Sequence, residues 1–160
     1  MKVGIVMGSI SDKDIGEKVT QILDKFEVDY ELRVISAHRT PQIAAEFAAS
    51  AEENGLELII AMAGKAAHLA GVIAGITPLP VIGLPVKSST MDGLDSLLST
   101  VQMPKGVPVA TVAINGGENA GLLAVQILSV KYPELRKKFK DYKKEMAEEV
   151  VKMDEEVQSL

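Results

Sequence analysis

Cysteine is absent from the 160 residues, which excludes disulfides, thiolate metal sites and cysteine nucleophiles together. That usage fits a cytoplasmic protein. Tryptophan is absent too, and the aromatic rings are confined to Phe26, Tyr30, Phe47, Tyr132, Phe139 and Tyr142. None falls in a candidate ligand loop, so a flavin or a stacked base has no obvious ring to lie on. Long apolar runs are scarce. Val3–Met7 is too short for a secretory h-region and leads into turn residues. Leu69 to Val86 passes eighteen residues without a charge, but Pro78, Pro80, Pro85 and three glycines interrupt it. It reads as a helix, a turn and a buried strand, and no membrane span is expected. A positive balance is missing as well: the net charge of −5 argues against nucleic acid as a partner.

What is present is ordinary for a globular chain, 47% hydrophobic and 24% charged. One domain is expected over residues 1–160, with 131–160 as a C-terminal helical extension. Apolar runs alternate with helix-like segments. Val3–Met7 precedes a helix over about Lys13–Phe26, with Ile15, Val19, Ile22, Leu23 and Phe26 at helical spacing. Val28–Val34, read as a buried strand, precedes a helix from Pro41 to Asn54 that Gly55 ends. Leu58–Met62 precedes a short helix near Ala66–Ile76, and Val81–Leu84 one near Gly93–Val101. Val107–Ile114 precedes a helix near Asn119–Val130. Five such units in series predict an α/β three-layer sandwich around a parallel sheet of about five strands.

The last segment differs. Leu135, Phe139, Tyr142, Met146, Val150, Met153 and Val157 mark one long amphipathic helix with Pro133 in its first turn. Its charges oppose the macrodipole, since Arg136, Lys137 and Lys138 crowd the start and Asp154, Glu155 and Glu156 the end. Packing must therefore hold it, either across a neighbouring subunit or back on its own domain.

Only two histidines occur, and each follows a strand-like run. In open α/β sheets, ligands bind beyond the carboxyl ends of the strands. In Ser36-Ala37-His38-Arg39-Thr40-Pro41, an imidazole able to move a proton stands beside two hydroxyls and a guanidinium that suits carboxylate or phosphate. The plainer alternative is a solvated loop before a helix. Gly8-Ser9-Ile10-Ser11-Asp12 is a strand-to-helix turn able to receive an anion. Ser11 with Asp14 also approximates a helix capping box, and a cap is the commoner use of such a turn. In Ala63–Gly71, small side chains leave room against the backbone, or simply permit close packing, and His68 reads as a cap or a satisfied helix residue. The polar stretch Pro85–Gln102, with Lys87, could fold over the site or form a subunit contact, but an ordinary solvated loop and helix face is the favoured reading. With the histidines on separate loops and no carboxylate cluster beside them, a catalytic metal site is not expected.

Taken together, these segments resemble the N5-carboxyaminoimidazole ribonucleotide mutases of bacterial purine synthesis. The resemblance runs over about residues 3–130. It is carried by Met7-Gly8-Ser9-Ile10-Ser11-Asp12, Ser36-Ala37-His38-Arg39-Thr40-Pro41, Ala66-Ala67-His68-Leu69, Pro80–Val86, Gly93–Leu98, Gln102-Met103-Pro104, Val107–Val112 and Asn119-Ala120. It implies a flavodoxin-like sheet, a cytoplasmic homo-octamer and an isomerase without metal, ATP or organic cofactor. The carboxyl group would move from the exocyclic nitrogen of the imidazole ribonucleotide to ring carbon C4, through CO2 held in the site. By the resemblance, His38 shuttles the proton, Ser9, Asp12 and Arg39 bind substrate, and Ser36, Gly64, Ala66 and His68 line the pocket. Lys65 stands where Gly is usual and Ala70 where Pro is usual. A basic residue in that loop is also a mark of the related aminoimidazole ribonucleotide carboxylases, which use free CO2. A noncatalytic nucleotide-binding module on the same fold is the alternative from another class.

Overall fold

The computed structural model describes residues 1–160. Five strands, β1 (Lys2–Met7), β2 (Asp29–Val34), β3 (Leu58–Gly64), β4 (Val81–Val86) and β5 (Ala110–Thr111), alternate with α1 (Lys13–Lys25), α2 (Pro41–Ser50), α3 (Leu69–Ala74), α4 (Leu94–Val101) and α5 (Gly117–Leu128). A last helix, α6, spans Pro133–Gln158. All neighbouring strands pair in parallel, in the order β2-β1-β3-β4-β5. This is the flavodoxin-like arrangement, in which the order reverses between β1 and β3.

Both faces of the sheet are covered, so the central strands are apolar throughout and the alternation decides only which layer each residue joins. Val3, Ile5, Met7, Leu58, Ile60 and Met62 pack toward α1 and α5. Val6, Ile59 and Ala61 pack toward α2 and α3. Two glycines set the spacing of the layers by lacking a Cβ. One added at Gly121 would lie 2.8 Å from the Ile22 Cβ of α1. One added at Gly83 would collide with Thr100 of α4.

Several expectations need correction. β2 is not a buried strand: Leu32 and Val34 are 39% and 49% exposed, and only the flanking Val28 and Ile35 are inside. It is the sheet's edge, paired with β1 alone, and charges blunt it, with Lys2 bridging Glu31 at 3.0 Å. β5 shrinks to two residues. Pro108 removes a donor just before it, and the chain turns at Asn115, whose φ is +58°. α2 stops at Ser50, four residues before Asn54, and turns lead on to Gly55 at φ +77°. The Ser11–Asp14 capping box does not form. A 3-10 turn over Ile10–Asp12 comes first, capped by the Ser9 hydroxyl, and Asp12 precedes α1 without a side-chain cap bond.

The apolar stripe of α6 divides. Leu135 is buried, and Phe139 and Tyr142 bring their rings 5.9 and 5.8 Å from that of Phe26. Beyond them Met146, Val150, Met153 and Val157 are 37%, 63%, 60% and 66% exposed. The basic residues that oppose the macrodipole are used laterally. Arg136 donates to the Ser129 carbonyl at 2.8 Å, and Lys138 pairs with Glu27. At the helix entrance Tyr132 donates to Glu57 at 2.6 Å, joined by Lys131 at 2.9 Å. No helix is long and apolar enough to cross a membrane.

Candidate active site

Four loops leave the carboxyl ends of β1 to β4 and enclose a cavity of about 580 Å³. The first begins at Gly8, whose N–H continues the sheet by donating to the Met62 carbonyl at 2.9 Å. The chain then extends through Ser9 and turns, which carries Asp12 inward to 7% exposure. Burial pushes the Asp12 carboxyl above its ordinary value, against a hydrogen bond from the Ser11 hydroxyl and a backbone bond from Ser9. A buried carboxylate facing a cavity is an acceptor awaiting donors.

The loop after β2 is organised by Ser36. Its hydroxyl accepts from the Arg39 backbone N–H at 3.2 Å and from Arg39 Nε at 3.3 Å. Thr40 closes the turn by accepting from the Ser36 N–H at 3.1 Å and donating to its carbonyl at 2.9 Å. A guanidinium N–H of Arg39 reaches back 2.9 Å to the Gly8 carbonyl, tying this loop to the first. The guanidinium is thereby held in place while donors remain for an anion.

The loop after β3 is the closest in. A Cβ on Gly64 would lie 3.2 Å from the Val86 carbonyl, so the strand ends packed against its neighbour. Lys65 follows at φ +57°, in the left-handed region that favours glycine. The backbone shape for which glycine is usual is therefore kept here by a lysine. That turn delays α3 until Leu69, and His68 becomes the residue before the helix.

His68 occupies the N-cap position of α3, its carbonyl accepting from the Val72 N–H at 2.9 Å, but its side chain makes no cap bond. Instead its Nδ1 lies 3.0 Å from Nε2 of His38, with the two rings nearly perpendicular at 89°. The two imidazoles, thirty residues apart in the chain, form one hydrogen-bonded pair.

Ser9, Asp12, Ser36, His38, Arg39, Gly64 and Ala66 all line the cavity, while His68 stands behind His38, lining an adjacent groove with Ser99 and Gln102. The loop after β4, for which solvated surface is the favoured reading of the sequence, also faces the cavity with Lys87, Ser88 and Ser89. The side-chain oxygen of Asn115, from the turn after β5, accepts the Lys87 N–H at 2.8 Å. The Lys87 ammonium meets Asp92 at 2.9 Å. The one available signal for this loop was its position after a strand. No group of three or more His, Cys, Asp or Glu is placed to share a metal ion. Arg39, Lys65 and Lys87 against Asp12 make a pocket suited to an anion that also carries hydroxyl donors.

A polar cavity at the switch point of an open parallel sheet defines a small-molecule-binding α/β protein of the flavodoxin-like class. Residues 2–149 match the family model described as AIR carboxylase, and the chain belongs to that family. It is 55% identical over 159 residues to the N5-carboxyaminoimidazole ribonucleotide mutase of Thermotoga maritima, covering 99% of this chain and 93% of that protein. It is 59% identical over 145 residues to the mutase of Pyrococcus abyssi, covering 91% and 83%. A chloroplastic phosphoribosylaminoimidazole carboxylase of Vigna aconitifolia is 51% identical over 150 residues, which are 94% of this chain and 27% of that protein. The crystal structure of Treponema denticola PurE superposes with a TM-score of 0.87 at 31% identity, covering 97% of each chain.

Proposed function

We infer that the chain is an isomerase that converts N5-carboxyaminoimidazole ribonucleotide into 4-carboxy-5-aminoimidazole ribonucleotide in purine biosynthesis. Curated relatives carrying that mutase name match at 55% and 59% identity over most of the chain. The geometric support is the meeting of an imidazole, a guanidinium and a buried carboxylate around one cavity walled by Gly64 and Ala66.

In this reading Arg39, Ser9 and Lys87 receive the phosphate or the carboxylate, and Asp12 accepts from the ribose hydroxyls. The carbamate C–N bond breaks, its electron pair staying on nitrogen, which takes a proton from His38. The CO2 released stays against the small side chains between Gly64 and Ala66. C4 attacks it, a C–C bond forms, and C4 gives its proton back to His38, leaving the imidazole as it began. Holding CO2 beside its acceptor turns a bimolecular encounter into an intramolecular one, an advantage that reaches several kcal/mol, about 7 or more in well-oriented systems. Water exclusion keeps the carbamate and the gas from being lost.

Self-association belongs to the same reading, with the octamer implied by the resemblance as the expected state and the cytoplasm as its location. Its support is apolar surface left uncovered on one chain, with Val72 at 36%, Ile76 at 41%, Leu98 at 46% and Val150 at 63% exposure. Light scattering on the eluting protein measures it, and a monomer at working concentration would contradict it.

Turnover decides the function. Given the N-carboxylated ribonucleotide without ATP or metal, the protein should produce the C4-carboxylated isomer. Efficient carboxylation of aminoimidazole ribonucleotide from dilute bicarbonate would instead make it the carboxylase. Binding without turnover of either compound would make it a nucleotide-binding module.

A further inference from the structure

We propose that His68 is a positioning residue that accepts a hydrogen bond from Nε2–H of His38 and thereby makes Nδ1 of His38 the atom that carries the proton. The inference rests on the mutase reading for its chemistry and on the pair itself for its geometry.

His38 Nε2 and His68 Nδ1 are 3.0 Å apart, and neither ring makes another hydrogen bond within the chain. Each nitrogen on that line is either a donor or an acceptor, so one proton lies between them. His38 faces the cavity, whereas His68 lines the groove on the other side. With Nε2 engaged, Nδ1 is the only nitrogen of His38 free to meet a substrate.

The direction of the shared bond follows from the proton count. If His68 donated, His38 would hold its own proton on Nδ1 with Nε2 as acceptor. Giving that proton away would leave an imidazolate, a species out of reach near neutral pH. If His68 accepts, His38 keeps Nε2–H throughout. Its imidazolium gives the Nδ1 proton to the substrate nitrogen as the C–N bond breaks, and neutral His38 takes the C4 proton back at Nδ1. His68 stays neutral, protonated at its own Nε2, and gains or loses nothing. It orients the working ring through one hydrogen bond, as a partner behind a catalytic imidazole does elsewhere. The charged groups sharing the cavity with His38 are Asp12, Arg39, Lys65 and Lys87, whereas the groove beside His68 is lined by Ser99 and Gln102 and no charge.

Two measurements on the full-length protein test this. The first is 15N spectroscopy of protein labelled only at histidine, at alkaline pH, with His68→Ala assigning the signals; two histidines make the spectrum simple. His38 should show protonated Nε2 and bare Nδ1, and His68→Ala should turn that single form into a mixture. The second is kinetic. His68→Ala should lower kcat about 10–100-fold, by analogy with removing the hydrogen-bonded partner that orients a metal-ligating imidazole, with KM within about twofold because His68 is outside the cavity lining. His68→Asn, whose amide oxygen takes the place of Nδ1, should recover most of the loss, whereas His68→Gln should not. A predominant Nδ1–H tautomer in the parent protein, an unchanged His38 spectrum in His68→Ala, or full kcat in that variant would each overturn the proposal. If the parent fails to isomerise the ribonucleotide, the mutase reading falls, and the spectra still report which nitrogen is protonated.

Discussion

The two faces of the sheet and the loops at its carboxyl end are made of the same chain under opposite rules. In the layers, Ile5, Ile60 and Ile82 are fully buried among aliphatic neighbours and carry no polar atom to satisfy. At the rim, a carboxylate is buried, a lysine sits in left-handed backbone, an arginine donates to a main-chain carbonyl and two imidazoles share a hydrogen bond. The desolvated carboxylate and the left-handed lysine are unfavourable for folding, whereas the arginine and imidazole hydrogen bonds tie the loops to one another. The layers supply the stability against which the rim holds strained and desolvated groups in place.

The comparison breaks most visibly if chemistry and stability can be lost separately. His38→Asn should lower turnover by about 10³-fold, within the range for removing a general acid–base, while leaving the melting temperature unchanged. Conversely Ile60→Ala should destabilise by about 3–4 kcal/mol, through lost burial and a residual cavity. Chemical denaturation measures it, and the surviving folded fraction should turn over normally.

Asp12→Asn tests both sides at once. The folded carboxyl lies above its ordinary 3.8 because burial disfavours the charge. Its penalty on folding is absent below the unfolded value and complete once the pH exceeds the raised folded value. Neutralising it should therefore raise the melting temperature at neutral pH, with no gain in acid, and raise KM by replacing one of the two acceptor oxygens offered to the ribose with an amide donor. A variant less stable at pH 7 than at pH 3 relative to the parent would contradict that balance.

Tyr132→Phe probes the opposite sign. Burial raises the Glu57 carboxyl, but hydrogen bonds from Tyr132 and Lys131 outweigh it and leave the folded value lowered. The stability this supplies is full above the unfolded value, near 4.5, and is lost as the pH falls through the folded one. Removing the phenol should cost about 1.5 kcal/mol at pH 7 and flatten the acid limb of a stability–pH curve. The smallest effect is expected for Lys65→Gly. Relief of a left-handed residue, offset by glycine's greater unfolded entropy, should stabilise by about 0.5 kcal/mol. A loss of stability would show that the Lys65 side chain contributes contacts of its own.

Long, periodic segments were the legible part of the fold. α1, α5 and α6 carry enough apolar positions at helical spacing to be placed within a few residues, and the continuous apolar runs of β1, β3 and β4 announce strands covered on both sides. β2 misled because edge and centre differ by what packs on them, and Asp29–Val34 has only one paired neighbour. β5 misled because an apolar run does not reveal where Pro108 and the Asn115 turn stop its pairing. In the site, Gly8–Asp12, Ser36–Arg39 and Gly64–Ala66 could be singled out as loops following strands. Lys87 could not be separated from solvated lysines, because its place at the cavity depends on a bond to Asn115, twenty-eight residues away.

Residue order alone determined the alternating α/β plan, the parallel sheet and the identity of the residues able to move a proton or hold an anion, because periodicity and side-chain chemistry are local properties. Tertiary structure alone decided that His38 and His68 share one proton, that Asp12 is desolvated, and that the stripe on α6 is half covered. Those facts depend on distances between segments far apart in the chain, which are set only when the sheet has chosen its strand order and the loops at its rim have met.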